Sequence, residues 1–454
     1  MTHKPYLRYK EAGVKWMGKV PEHWEIKPLK RIGKINYGIG EPPKYQSEGT
    51  PLIRATNIHE GKLIEDGMVF VNHEDIPANR VFWLQVGDII IVRSGAYTGD
   101  SARIPNGYVK SIAGFDMVLR CYEDDSKFVQ YALLSKYLKQ DQIDLEKLRA
   151  AQPHLNAEEL GSCLFIAPPL SEQQTIVSFL DQETSRIDTL ISEKERLLSL
   201  LQEYRQALIS NAVTKGLDPS VKMKDSGVEW LGEVPEHWEV MRLGFLCNKI
   251  GSGKTPLGGS ESYSESGVLF IRSQNVYYEG LLLDDIVCIN EEIDGEMAGS
   301  RVLPGDVLLN ITGASLGRTC LVPENFPPAN VNQHVSIIRA KDSSIRKFLS
   351  WAMKSFSIKA QIESYQNGAA REGLNFDQIS QLIIVVPPRI EYSYISGFLD
   401  HETSRIDTLI SQARKFIDLL KEYRSSLITA AVTGKIDVRE VVPSGSEKQE
   451  IAYE

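Results

Sequence analysis

The chain of 454 residues is 42% hydrophobic and 24% charged, and 51 basic against 60 acidic residues leave a formal net charge of −9. That balance excludes a globally disordered chain, a collagen and a disulfide scaffold, and it argues against a protein that coats DNA by charge alone. At roughly 150 residues per domain the length allows two or three domains, each able to bury its own core.

The first ten residues are polar and lack the apolar centre of a signal peptide, and no apolar run approaches the roughly 20 residues of a membrane span. The five cysteines, at 121, 163, 247, 288 and 320, form no Cys-x-x-Cys and are odd in number. Free thiols in a reducing cytoplasm are therefore expected, rather than a disulfide framework or a zinc site.

Along the chain the first notable segment is Lys10–Glu25, KEAGVKWMGKVPEHWE, which returns as KDSGVEWLGEVPEHWE at Lys224–Glu239. Four of the six tryptophans, Trp16, Trp24, Trp230 and Trp238, lie in these two heads. They read as buried anchors joining head to module. His23 and His237, beside two of them, read as packed or capping histidines. The bodies that follow diverge, but a skeleton survives: Arg54 and Asn57 match Arg272 and Asn275, and Gly87-Asp88, Gly95 and Gly99 match Gly305-Asp306, Gly313 and Gly317. Runs such as Asp88–Arg93 and Val331–Ile338 read as strands, and Lys127–Ile143 and Arg346–Glu363 as helices. Charge is segregated: residues 284–296 carry six acids and no base, and residues 339–359 six bases against Asp342. A solvated helix face and an electrostatic footprint both fit the basic stretch.

The tails match most closely, and ETSRIDTLIS stands unchanged at 183–192 and 402–411. Drift after a duplication would erode tails as much as bodies, so two scaffolds of one fold carrying different surfaces are expected. Each tail reads as a helix of about 40 residues running from a Pro-Pro pair to Gly216 or Gly434, with Ser171 as the first N-cap. The heptad places Leu180, Ile187, Lys194, Leu201 and Leu208 at a, with Glu183, Leu190, Leu197 and Tyr204 at d. The second tail gives Leu399, Ile406, Ala413, Leu420 and Leu427, then Glu402, Leu409, Phe416 and Tyr423. An antiparallel pair is the simplest use of two such helices. Glu183 and Glu402 then occupy core-type positions, where a charge needs a partner. They serve either to fix register or, with Arg186, Asp188, Arg405 and Asp407, as a docking surface presented twice.

Catalytic motifs are sparse. Gly251-Ser252-Gly253-Lys254-Thr255 resembles the end of a phosphate-binding loop, but Asn248 breaks the pattern, and Pro256, Gly258 and Gly259 oppose the helix that should begin at the lysine. There is no Asn-Pro-Pro-aromatic run, no nuclease-like acid-x-Lys pattern and no His-Glu-x-x-His, and the eight histidines never take metal spacing. No catalytic residue and no metal site are expected, and Lys254 and Thr255 are read as a phosphate contact from a loop.

Two divergent modules, each opened by GV-x-W-x-G-x-VPEHW and closed by PP…FLD-x-ETSRIDTLI…YR-x-x-LI…AVT over residues 10–440, resemble the specificity subunit of type I restriction–modification systems. The resemblance implies an α+β fold: two globular mixed α/β target-recognition domains separated by two long antiparallel coiled-coil helices, related by a pseudo-twofold duplication. Its segments are 1–167 (head and first domain), 168–216 (central helix), 217–386 (second head and domain), 387–442 (C-terminal helix) and 443–454 (flexible tail). It implies a non-catalytic subunit whose modules each read half of a bipartite asymmetric DNA site, while the helices space them and dock two methyltransferase subunits. Two translocase–nuclease subunits complete that assembly, and S-adenosylmethionine, ATP and magnesium belong to the partners.

Base or phosphate contacts are expected from Arg54, Asn57, Arg93, Ser94, Tyr97, Thr98 and Arg103 in the first module. In the second they are expected from Lys254, Thr255, Arg272, Gln274, Asn275, Asn310, Thr312, Ser315, Arg318, Gln333 and Arg371. Residues shared by both modules, Arg54 and Arg272 above all, suit the fold or a phosphate. Unshared ones, such as Tyr97 against Ser315, suit a base. Two other classes stay open: a coiled-coil spacer joining protein-binding modules, and a nucleotide hydrolase built on Lys254.

Overall fold

The computed structural model describes residues 4–14, 16–77, 81–147, 154–366 and 373–440. It divides into two compact units, residues 1–195 with 415–454, and residues 196–414. The segment 443–454 and Arg371 lie outside the described residues.

The units share one architecture. In the first, an antiparallel sheet takes the strands Ser101–Arg103, Ile89–Ile91, Met117–Cys121 and Gly33–Tyr37 in that order. A second sheet orders Ile112–Ala113, Thr50–Ile53, Val69–Val71 and Tyr45–Gln46, its first pair parallel. The second unit repeats the first sheet with Thr319–Leu321, Val307–Asn310, Val335–Ala340 and Cys247–Ser252. Its other sheet again holds one parallel pair, Val268–Ile271 with Ala329–Val331. The central strand of each first sheet is apolar on both faces because both faces are covered. Ile89 and Ile91 point into the core under the helices, and Ile90 into the core between the sheets. Val307 and Leu309 against Leu308 repeat the alternation.

The run Val331–Ile338, read as one strand, is two. Ala329–Val331 belongs to one sheet and Val335–Ala340 to the other, and residues 332–334 cross between them. In the first unit Gly114, Phe115 and Asp116 make the same crossing. The helix read over Lys127–Ile143 starts at Ser126, capped by Asp125, and pauses at Ser135. That read over Arg346–Glu363 pauses between Met353 and Phe356.

The long helices run Leu170–Lys215 and Arg389–Val432. Ser171 is not the cap: it lies inside the first turn, where the Pro169 carbonyl accepts from the backbone N–H groups of Glu172 and Gln173. Gly216 and Gly434 end the helices at φ of 75° and 71°, conformations that favour glycine. Here the heads dock. Trp24 is buried beside Gly434 in the first unit, and Trp238 beside Gly216 in the second. His23 and His237 each lie 2.8 Å from the glutamate in the first turn of a long helix, Glu172 and Glu391. Trp16 and Trp230 are about half exposed, so they are not buried anchors.

The helix register differs from the heptad read in sequence. The buried stripe includes Leu180, Thr184 and Ile187 in the first unit, and Leu399, Thr403, Ile406, Ile410 and Ala413 in the second. The partner of each a residue therefore stands four positions on, not three. Leu197, Tyr204, Leu409, Phe416 and Tyr423 are exposed, and Glu183 and Glu402 sit at the margin of the stripe. A threonine can lie in the stripe because its hydroxyl donates to the carbonyl one turn back, Thr184 to Leu180 at 2.6 Å and Thr403 to Leu399 at 2.5 Å. Within each unit the two helices pack antiparallel and share one ion pair. It is Arg424–Asp188 in the first unit and Arg205–Asp407 in the second, each with Nε 2.8 Å from Oδ1.

The matched Gly-Asp pairs also have a structural cause. Asp88 and Asp306 are buried and accept two guanidinium bonds each, from Arg120 and Arg339. Each also accepts a backbone N–H, from Gln85 and Leu303. Removing one partner of such a pair strands the other. Asp88→Ala is expected to destabilise the first unit by roughly 3 kcal/mol, the low end for a buried pair because Arg120 keeps some access to water. Denaturant unfolding measures this.

Asp116, at the crossing, is buried, and burial pushes its pKa up to about 6, opposed by the Arg93 backbone N–H and charge. The folded state thus holds its proton more tightly than the unfolded chain. The resulting destabilisation is absent below about pH 4, grows between pH 4 and 6, and is complete above that, at most about 3 kcal/mol. Asp116→Asn is therefore expected to raise the unfolding midpoint at pH 7.5 and to leave it nearly unchanged at pH 4, as followed by thermal melts at the two pH values.

Candidate nucleic-acid interface

The interface is built where the two sheets of each module meet. Arg54 follows the strand Thr50–Ile53, and its backbone N–H donates to the Asn57 side chain at 3.1 Å. Asn57 is buried and donates to the carbonyls of Ile64 and Asp66, closing the hairpin below the arginine. The Arg54 guanidinium lies 5.5 Å from the centre of the Tyr45 ring and donates one bond, of 2.7 Å, to the Gly67 carbonyl. Arg272 repeats this: Asn275 below it, the Tyr263 ring at 5.7 Å, and a 2.7 Å bond to the Asp285 carbonyl. In both arginines Nε is buried without a hydrogen-bond partner. A guanidinium stacked on a tyrosine and tied by one arm is pre-positioned to offer its remaining donors to an anion.

The other expected contacts divide. Arg93 packs over the rings of Tyr37 and Phe115, at 4.7 and 4.3 Å, with His154 3.1 Å from Nη2. Ser94 bridges to His154, and Tyr97 is exposed on the next turn. In the second module Gln333 is exposed and meets His334, whose other ring nitrogen meets Thr312 Oγ1 at 2.6 Å. Arg318 lies over Tyr277, Gln274 is exposed and bonds Asp285, and Ser315 is half-buried. Lys254 and Thr255 are exposed beside this crossing, since the Gly253 N–H donates to the Asn332 carbonyl. Only the short 3-10 helix Gly259–Ser262 follows them, so no helix N-terminus faces the lysine.

The structure corrects several of these expectations. Asn57, Asn275 and Thr98 are buried and hydrogen-bond their own loops, so they shape loops rather than reach a base. Asn310 is buried too, its amide nitrogen donating to the Ser273 carbonyl while its Oδ1 has no partner. Arg103 donates to Ser126 and lines a cleft along the first long helix, away from Arg54 and Arg93. The basic stretch 339–359 is not a free patch. Arg339 holds Asp306, Lys347 holds Asp400, Lys359 donates to Gln206, and burial lowers the Lys354 pKa. Asp188 and Asp407 are taken by Arg424 and Arg205, whereas Arg186 and Arg405 are exposed. Sequence reasoning missed Tyr37, Phe115, Tyr45, Tyr263, His154 and His334. Aligning residues 112–115 with 330–333 sets Phe115 against Gln333, while Arg120 against Arg339 requires one further residue in the second module.

The identical decapeptide also gains a place. In the first unit Thr184, Ser185, Asp188, Thr189 and Ser192 line a cleft of about 700 Å³ together with Tyr131. In the second, Thr403, Ser404, Asp407, Thr408 and Ser411 line one of about 590 Å³ together with Trp351. Tyr131 and Trp351 donate to the matched Asp181 and Asp400.

Comparison with known proteins accords with this duplicated site. The type I restriction modification DNA specificity domain matches residues 21–199 and again 235–414. The chain is 25% identical over 448 residues to a putative type I restriction enzyme MjaX specificity subunit of Methanocaldococcus jannaschii, covering 95% of this chain and 98% of that protein. It is 21% identical over 439 residues to the EcoKI specificity subunit of Escherichia coli K12, covering 92% and 90%. A solved chain described under complex assembly and conformational transition of the type I R-M system shares the fold, with TM-score 0.71, 17% identity, and 92% and 99% coverage. The HsdS subunit of Thermoanaerobacter tengcongensis gives 0.52 at 18% identity, covering 94% and 100%. With two specificity domains matched along most of its length, the chain belongs to the family of type I restriction–modification specificity subunits.

Proposed function

We propose that each module reads one half of a bipartite, asymmetric DNA sequence, and that the chain itself catalyses no reaction. The observation that carries this reading is the repetition of one anion-ready framework, an arginine stacked on a tyrosine, beside loops whose exposed chemistry differs between modules. Contacts to phosphate position a protein on the duplex, and contacts to base edges specify sequence. A shared arginine with unshared neighbours matches that division. The long helices space the modules, and the two clefts lined by the identical decapeptide fit one partner used twice, a methyltransferase subunit. Two translocase–nuclease subunits complete the assembly, and S-adenosylmethionine, ATP and magnesium are used by the partners. The acidic net charge is compatible with DNA binding when partners supply much of the phosphate contact.

Exchange of residues 26–150 for the first body of another family member, followed by methylome sequencing of cells carrying the full complex, tests the reading. One half of the methylated sequence is expected to change and the other to persist; alteration of both halves contradicts modular reading. Lys254→Ala is expected to leave DNA-stimulated ATP hydrolysis per bound complex unchanged and to weaken DNA binding several-fold in a salt-dependent manner. Binding of ATP to the isolated chain, abolished by that substitution, would instead favour a nucleotide hydrolase.

A further inference from the structure

The crossing between sheets leaves from the same backbone anchor in the two modules but is one residue longer in the second, where Leu309 pairs with Ser336 as Ile91 does with Met117, and its chemistry differs. The Gly114 N–H donates to the Ile53 carbonyl at 2.7 Å, and the Asn332 N–H donates to the Ile271 carbonyl at 3.0 Å. Those carbonyls immediately precede Arg54 and Arg272, so each crossing is pinned beside the shared arginine. Strands lock it on both sides. At each crossing the middle residue is exposed between less exposed neighbours, Phe115 in one module and Gln333 in the other. A position held rigidly by the fold, set next to a shared cation and free to differ, is what a base-reading residue requires.

The neighbours orient each reader. His334 lies 2.8 Å from the Gln333 amide nitrogen and is itself fixed by Thr312, so the amide is held and loses little freedom on binding. An amide offers one donor and one acceptor side by side, the pattern that matches N7 and N6 of adenine in the major groove. In the first module Phe115 offers no such pair, and Arg93 packs against it and Tyr37. Its Nε is buried and its Nη2 lies 3.1 Å from His154, so with its face against aromatic rings the guanidinium is left the end that carries Nη1 and Nη2, whose parallel donors match O6 and N7 of guanine.

We propose that these crossings are the base-reading turns: Arg93, held by Phe115 and Tyr37, reads a guanine in one half-site, and Gln333, held by His334, reads an adenine in the other. The proposal rests on the reading of the chain as a two-module DNA reader and adds to it the residues and the bases.

The test uses the full complex with its methyltransferase partner and methylome sequencing as the readout. The wild-type chain must first yield a bipartite methylated sequence; if it does not, the functional reading fails irrespective of the turns. Gln333→Arg is then expected to shift one position of one half-site from adenine towards guanine, by roughly 10- to 100-fold in relative methylation. Arg93→Gln is expected to shift one guanine of the other half-site towards adenine by a similar factor. Where either substitution abolishes methylation, Gln333→Ala and Arg93→Ala decide: they keep the turn and remove only the reader, so each is expected to relax a single position. An unchanged methylated sequence with the alanine variants, or a change confined to the half-site of the other module, overturns the assignment.

Discussion

The structure depends on a narrow stripe along two helices. Leu, Thr and Ile alternate four and three residues apart, and the stripe is kept apolar in effect because each threonine satisfies its own hydroxyl one turn back. The arginine–aspartate pair beside the stripe fixes the stagger: sliding one helix by a turn would strand two charges at the margin of a core. Once the stagger is set, the helix ends are set, and with them the glycines against which Trp24 and Trp238 pack. The heads take their places from those tryptophans, and each head leads directly into a strand, Glu25–Pro28 or Glu239–Arg242, paired with the strand that precedes a long helix. One packing rule, applied twice, therefore positions both bodies on their own helix segments.

Much of this is legible in sequence, for identifiable reasons. Proline pairs and left-handed glycines mark the helix ends whatever the tertiary context. Ile89–Ile91 announces a strand covered on both faces because nothing polar interrupts it. The helix register is not legible in sequence because Leu197, Tyr204, Phe416 and Tyr423 look like core residues and Thr184 and Thr403 do not. Side-chain polarity is a poor guide where the backbone can satisfy a hydroxyl locally. Likewise Val331–Ile338 reads as one strand because the crossing inside it, Asn332 to His334, is flanked by valines that belong to different sheets.

The candidate interface was legible only in part, and the split has a physical cause. Residues shared by both modules, Asn57, Asn275 and the Gly-Asp pairs, are those the fold needs, since they close hairpins or supply buried carboxylates that hold a guanidinium. Sharing therefore marks scaffold, with Arg54 and Arg272 as the residues that serve scaffold and surface together. The exposed residues at the crossings differ between modules and leave no repeated trace. They emerge only when the backbone bonds of Gly114 and Asn332 show that Phe115 and Gln333 each follow the same pinned residue.

The division of the chain into units does not follow its division into repeats. The first unit draws on residues 415–454, and its core contains Leu427, Ile428, Ala431, Val432 and Val438. The second unit lies wholly between residues 196 and 414. As a ribosome delivers the chain from its N-terminal side, the unit begun first cannot close until residues 427–438 have emerged, while the unit begun second already has all its parts. The early body must wait with its helix-facing surface uncovered, at the stage when exposed apolar surface invites aggregation. Order of completion is thus reversed with respect to order of synthesis, and the nascent chain acquires its two units from the inside out.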